Sequence, residues 1–280
     1  MSETELKNNQ IELRDTSSVP SIFEDGLFSE VFPASKLPVL FLDFDGTLSP
    51  IVKQPEDASI SEEMKKALEN CAAYLTVAVV SGRDMDDVKK RVGLDNVIYA
   101  GSHGFRIEGP DGLSMEHGKT KEILPGLDDT EEKLQELFAG GPKGVKVERK
   151  RYAIAVHYRN ADENKLDEIK SKINEVLADH PEVKTGKGKK IIEVKPDIDW
   201  HKGKAIKWIL ETLNLLDKPE ILPVYIGDDV TDEDAFKVLY YEGVGILVGS
   251  HGQKTVARYK LNNVNEVKEL LERIRMIREK

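Results

Sequence analysis

Asp43 and Asp45 stand two residues apart, directly after the apolar run Val39-Leu40-Phe41-Leu42, and are followed by Gly46-Thr47. An apolar run that stops at a carboxylate reads as a buried parallel strand, and Gly46 then breaks it. Open α/β sheets gather ligands at the carboxyl ends of their strands, so this pair falls where chemistry is usually done. Like charges this close repel each other unless a cation or a proton is shared between them. Magnesium prefers oxygen ligands and usually takes only one or two carboxylates, which leaves a carboxylate able to attack an electrophile. Taken alone, the pair also fits an ordinary Asp-Gly turn. A calcium-binding EF-hand loop is excluded, because Leu48 and Gln54 occupy the positions where that loop requires Gly and Glu.

The elements that must carry these residues follow from hydrophobic periodicity. Met64, Ala67, Leu68 and Cys71 recur at helical spacing behind Ser59 and Ser61, both able to cap. A second apolar run, Thr76 to Val80, stops at Ser81-Gly82-Arg83, and a helix through Val88 and Val92 ends at Gly93. A third, Asn96 to Ala100, stops at Gly101-Ser102-His103-Gly104. Repeated β-then-α units predict a parallel sheet with right-handed crossovers.

After about Ile107 the order changes. The turn Gly109-Pro110-Asp111-Gly112 predicts a hairpin, and a helix is expected near Asp128 to Phe138. Val145 to Val147 and Ala153 to Val156 read as neighbouring strands, followed by a helix through Leu166, Ile169, Ile173, Val176 and Leu177 and by strands near 182–185 and 190–194. Strand-strand-helix order signals an α+β insertion. Winding resumes with a helix from Ala205 to Leu213 and the strand Ile221 to Ile226, which stops at Gly227-Asp228-Asp229. Gly245 to Val248 is a further strand, and Val264 to Ile274 a closing helix. The predicted fold is α/β: a doubly wound parallel-sheet core over 36–107 and 197–280, interrupted by an α+β cap over 108–196. Residues 1–35 are expected to form a tail, polar and mobile through residue 20, with a short docking helix around Phe23 to Phe32.

Composition narrows the class. A chain of 280 residues with 39% hydrophobic and 33% charged side chains fits a soluble globular enzyme. The balance of 41 basic against 51 acidic residues, net −10, argues against nucleic acid as a partner. The single cysteine, Cys71, excludes an intrachain disulfide and lies in a helix's apolar register, so packing is its expected role. No apolar run approaches a membrane span or a signal peptide. A cytoplasmic monomer without membrane contact is expected.

Four clusters lie at strand ends or helix starts of the core: Asp43/Asp45, Ser81, Lys202, and Asp228/Asp229/Asp232. Each alone has an ordinary structural explanation. Together and in this order they resemble the haloacid dehalogenase-like phosphohydrolases, whose motifs are DxDGT, a Ser or Thr, a Lys, and GDDxxxD. That resemblance implies Asp43 as the nucleophile that carries an aspartyl phosphate, and Asp45 as the acid and base for the leaving oxygen and the water. It implies Mg2+ held by Asp43, the backbone carbonyl of Asp45, and Asp228, with Asp229 and Asp232 outside them. Ser81 would bond a phosphate oxygen, and Lys202 would offset charge.

Finer strings narrow the family. VVSGR (79–83), AGSHG (100–104), VERKRYAIAVHYR (147–159), KKIIEVKP (189–196), WHKGKA (200–205) and YIGDDVTDEDAF (225–236) resemble trehalose-6-phosphate phosphatases. In that family the insertion closes over the disaccharide. Carried over, Arg83 and His103 would face the phosphosugar from the core, while Glu148, Lys150, Lys189 and Glu193 would bond its hydroxyls from the cap. His157 and Arg159 are read as braces of the cap sheet. His201 departs from the acidic residue often found before this Lys. The length leaves no room for a fused synthase domain, so a free-standing phosphatase acting on trehalose 6-phosphate is expected. Sucrose-phosphate and mannosylphosphoglycerate phosphatases, phosphomannomutases, and a catalytically silent subunit of a trehalose-synthesising complex remain as alternatives. A P-loop is excluded because Leu113 stands where its upstream Gly belongs, and a serine-hydrolase elbow because Ala100 and Val248 replace its first Gly.

Overall fold

The computed structural model of the protein describes residues 11–188 and 190–279, so residues 1–10, Lys189 and Lys280 lie outside the described residues. The chain divides into two compact units, one made of Met1–Met115 with Trp200–Lys280 and one of Glu116–Asp199.

In the first unit the strands are β1 (Arg14–Asp15), β2 (Leu37–Leu42), β3 (Val77–Val80), β4 (Ile98–Gly101), β5 (Arg106–Glu108) and β6 (Ser114–Glu116). In the second they are β7 (Lys146–Lys150), β8 (Ala153–His157), β9 (Val183–Gly188) and β10 (Ile191–Pro196). The chain then returns to the first unit with β11 (Ile221–Gly227), β12 (Val244–Val248), β13 (Lys254–Thr255) and β14 (Tyr259–Leu261). The helices are α1 (Leu27–Val31), α2 (Glu62–Ala72), α3 (Met85–Val92), α4 (Thr120–Ala139), α5 (Leu166–Leu177), α6 (Lys202–Thr212), α7 (Glu233–Val238) and α8 (Val264–Arg278).

The main sheet runs β14-β12-β11-β2-β3-β4-β5-β6, and every pairing from β14 to β4 is parallel. Alternation along β2 explains the layers: Leu40 and Leu42 pack with residues of α2, α3 and α8, whereas Val39 and Phe41 pack with residues of α6 and α7. Winding proceeds from β2 through β3 to β4 on one side and from β11 through β12 to β14 on the other. The order therefore reverses between β2 and β11, and the carboxyl ends there form the crevice where such sheets bind ligands. Cys71 is buried on α2, where burial pushes its thiol up to about 12, so it packs and does not react.

The second unit is an antiparallel sheet in the order β7-β8-β10-β9, with α4 and α5 supplying the rest of its core. The hairpin at Gly109–Gly112 does not join it. Its first strand, β5, pairs antiparallel with β4 and extends the main sheet. The second unit thus begins at Glu116, later than the change of pattern near Ile107. No described helix is long and apolar enough to cross a membrane.

Residues 11–20, expected to be mobile, are tied to the first unit. Arg14 and Asp15 pair with Thr255 and Lys254, Thr16 bonds Ser250 through their hydroxyls at 2.7 Å, and Val19 is buried. Next to them Ile22 is also buried, and its N–H donates to the Lys260 carbonyl. The polar composition hid two apolar anchors. We expect Ile22→Ala to cost about 2–5 kcal/mol, as for other buried large-to-small changes, read from the urea midpoint at unchanged slope.

Candidate active site

Asp43 is the first residue after β2, and its N–H donates to the Ile226 carbonyl of β11. Lys202, the first residue of α6, reaches it: Nζ donates to Asp43 Oδ1 at 2.7 Å and to Asp232 Oδ1 at 2.6 Å. All three side chains are buried. Asp232 Oδ1 also accepts from the Tyr225 hydroxyl at 2.6 Å, and its Oδ2 from the Asp229 N–H at 2.9 Å. Asp232 therefore spends both oxygens on positioning Lys202 and the loop after β11.

Asp228 completes the group. One oxygen each from Asp43, Asp228 and Asp232 lie within 4.8 Å of one another, and Asp228 Oδ1 is buried with no hydrogen-bond partner. Gly46 explains how it is packed: a Cβ there would fall 2.0 Å from Asp228 Oδ2, and the backbone has φ +81°. Glycine is thus required by both the close approach and the turn. Gly227 plays the same part for Asp232, whose Cγ lies 2.4 Å from where a Cβ would stand.

The electrostatics follow from burial. Desolvation, with Asp232 and Asp45 adding to it and Lys202 opposing it, pushes the Asp43 carboxyl up to about 7. Desolvation and the charge of Asp43 push Asp228 up to about 8. Burial alone would lower Lys202, but Asp232 and Asp43 more than offset it and hold the ammonium charged. The cluster thus has more negative charge than its lysine can compensate. An orphaned buried oxygen beside two further carboxylate oxygens is the donor set that a hard divalent cation prefers.

Asp45 is differently placed. Arg83 grips it with two bonds of 2.7 Å, Nε to Oδ2 and Nη2 to Oδ1, while Nη1 donates to Asp87 and Nη2 also to the Pro55 carbonyl. The guanidinium lies 5.4 Å from the centre of the Phe44 ring. Arg83, expected to face a phosphosugar, here bonds both oxygens of Asp45. The reason is its own geometry, since a planar fork matches a carboxylate oxygen for oxygen. Ser81 follows β3 and is buried, and its hydroxyl accepts from the Arg83 N–H at 3.1 Å. His103 has φ 57° and its ring lies over Gly82, 2.8 Å from where a Cβ would be. Asp229 is exposed, and its N–H donates to Asp232 Oδ2 in a capping box between the two residues.

On the second unit, Glu148 of β7 and Glu193 of β10 both face Ala155 of β8, one from each side. His157 Nε2 lies 2.7 Å from Glu148, and Lys150 Nζ lies 3.6 Å from Glu193. Sequence reasoning missed Tyr225 and the Arg83–Asp45 clasp. A lone hydroxyl in the apolar run Ile221-Leu222-Pro223-Val224-Tyr225-Ile226 was the available signal for the first. Nothing in the sequence marked the second.

The fold is that of the haloacid dehalogenase-like hydrolases. A solved hydrolase of that class from Bacteroides thetaiotaomicron superposes with a TM-score of 0.61 at 17% identity, covering 85% of this chain and all of that one (100%). The C-terminal domain of trehalose-6-phosphate phosphatase from C. albicans gives a TM-score of 0.76 at 24% identity, covering 92% and 99%. By sequence, the chain is 38% identical to trehalose-phosphate phosphatase B of Arabidopsis thaliana over 260 residues, 89% of this chain and 69% of that protein. It is 38% identical to trehalose 6-phosphate phosphatase RA3 of Zea mays over 250 residues, 84% and 69%. The sequence profile of the trehalose-phosphatase family matches residues 41–265. The chain belongs to the trehalose-phosphatase family, and is a phosphatase.

A carboxyl whose pKa is raised by folding holds its proton longer in the folded chain than in the unfolded one. Its contribution to stability is therefore full below the ordinary value of 3.8 and is lost as pH rises through about 7 for Asp43 and about 8 for Asp228. A cation that binds the ionised pair reverses this loss. We expect millimolar Mg2+ to raise the melting temperature of chelator-treated protein at pH 8 by several degrees and at pH 5 by far less. Equal shifts at both pH values would show that these carboxyls do not hold the ion.

Proposed function

We propose that this protein hydrolyses trehalose 6-phosphate to trehalose and inorganic phosphate in a Mg2+-dependent reaction through an aspartyl phosphate on Asp43. The observation that carries this reading is the buried Lys202–Asp43 pair beside the unpartnered oxygen of Asp228, in a chain of this family. Lys202 holds Asp43 Oδ1, which leaves Oδ2 to attack phosphorus while the bond from phosphorus to the sugar oxygen breaks. Asp45 donates a proton to that leaving oxygen, then takes one from the water that splits the acyl phosphate and regenerates Asp43. Both oxygens of Asp45 accept from Arg83, so proton delivery requires this clasp to open. Ser81 bonds a phosphate oxygen, as does the ammonium of Lys202 in offsetting its charge. Asp43 and Asp228, with the Asp45 carbonyl, would hold Mg2+, which when bound supplies positive charge to the phosphoryl oxygens. On the second unit, Glu148, Lys150 and Glu193 bond sugar hydroxyls, which can accept from an ammonium and donate to a carboxylate. His103 faces the phosphosugar from the core.

Two carboxylates with different roles should fail differently. Asp43→Asn should abolish covalent phosphorylation, because an amide is a poor nucleophile. Asp45→Asn should slow turnover by about 10²–10⁴ while still accepting phosphate from p-nitrophenyl phosphate, whose leaving group needs little protonation. Rapid-quench trapping should find phosphoenzyme in the Asp45 variant and none in the Asp43 variant, and the opposite pattern would exchange the roles.

The sugar contacts are tested separately. Glu148→Gln and Glu193→Gln should each lower kcat/KM for trehalose 6-phosphate by about tenfold or more, the loss expected when a charged hydrogen bond worth ~1.5–3 kcal/mol is removed. Unchanged kinetics in both would remove these residues from the site.

A further inference from the structure

Alternate residues of β10 divide between two faces. Ile192 and Val194 enter the hydrophobic core of the second unit, so Glu193 and Lys195 share the other face. On that face Glu193 stands opposite Ala155 of β8 and Gly186 of β9. The Lys195 side chain does not run off the end of its strand. Its Cε and Nζ lie 3.4 and 3.6 Å from where a Gly186 Cβ would be, so the ammonium crosses the glycine toward the row that holds Glu193, Ala155 and Glu148.

The neighbouring cations are occupied. Lys150 faces Glu193 at 3.6 Å, and Lys184, opposite Lys195 on β9, pairs with Asp197 at 2.7 Å. Lys195 is half-buried and has no hydrogen bond or ion pair among the described residues. The two carboxylates can only accept from sugar hydroxyls, so the hydroxyls' lone pairs call for ammonium donors on the same face, Lys150 and a further one. Of the lysines described there, Lys195 has its three donors unspent.

We propose that Lys195 is a further substrate-binding residue, donating from its ammonium to hydroxyls of the sugar, and that the absence of a side chain at Gly186 gives it the path to do so. The inference rests on the reading that this face of the second unit receives the sugar. It adds a residue to that reading and a reason for a glycine.

The test uses the full chain as wild type, Lys195→Met, Lys195→Arg and Lys184→Met. Each is assayed on trehalose 6-phosphate, glucose 6-phosphate and p-nitrophenyl phosphate. The quantity read is the ratio of kcat/KM for the best sugar phosphate to kcat/KM for p-nitrophenyl phosphate, which has no sugar to contact. Lys195→Met should lower this ratio about tenfold, chiefly through KM, as for loss of one charged hydrogen bond. Lys195→Arg should recover most of it, and Lys184→Met should stay within twofold of wild type. A ratio for Lys195→Met within twofold of wild type, or an equal fall on all three substrates, would overturn the proposal. If Lys195→Met yields no folded protein, Lys195→Gln is read by the same criterion. The disaccharide reading is judged independently from the wild type alone: a preference for glucose 6-phosphate over trehalose 6-phosphate would end it and leave the Lys195 ratio meaningful.

Discussion

One buried ammonium organises the core of this protein. Lys202 projects from the start of α6 and bonds Asp43 at the end of β2 and Asp232 beyond the end of β11, so a helix and two adjacent strand ends meet at a single charge. Burying an ion costs several kcal/mol, and a pair repays that only if the remaining hydrogen-bonding capacity is also met. Here the repayment comes through Asp232, which accepts from Lys202, Tyr225 and the Asp229 N–H. Asp43, by contrast, accepts from Lys202 through one oxygen only. The same cation thus ties a fully bonded carboxylate to one that is not.

Topology decides why these groups can meet at all. The sheet winds outward in both directions from β2 and β11, so no crossover helix covers the carboxyl ends between them. Asp43 and Asp228 leave adjacent parallel strands at that gap, far apart in sequence and close in space. The approach is tight enough that Gly46 and Gly227 have no room for a methyl group. These two glycines are steric requirements of the carboxylates on either side, beyond their use as turn residues.

Residues at the ends of apolar runs were legible in the sequence. Asp43, Ser81 and Asp228 each stand where a hydrophobic stretch stops, and continuous apolar runs marked those strands. Lys202 carried no such mark, because a lysine at a helix start looks like any solvated side chain, and only the company of the other motifs singled it out. Interactions that depend on side-chain reach were not legible. The Arg83–Asp45 clasp joins residues 38 positions apart through a rotamer choice that periodicity does not encode. The N-terminal segment failed for a different reason. Val19 and Ile22 are isolated apolar residues in a polar stretch, without the repetition from which burial is read. The hairpin at 109–112 was visible as a turn, but the turn says nothing of which sheet its strands will join.

The clustered carboxylates also show what the fold has given up. Asp43 and Asp228 are displaced to about 7 and about 8 because burial and mutual repulsion disfavour their charge, and one oxygen of Asp228 has no partner. Replacing such a cluster by apolar residues of similar volume is often neutral or stabilising in other proteins, whereas removing only one partner is strongly destabilising. Stability therefore does not account for the arrangement. An excess of buried negative charge beside one fixed positive charge is unfavourable in isolation. The unfavourable part is confined to Asp43 and Asp228, and the apolar packing on both sheet faces and the hydrogen bonds of Asp232 hold it in place.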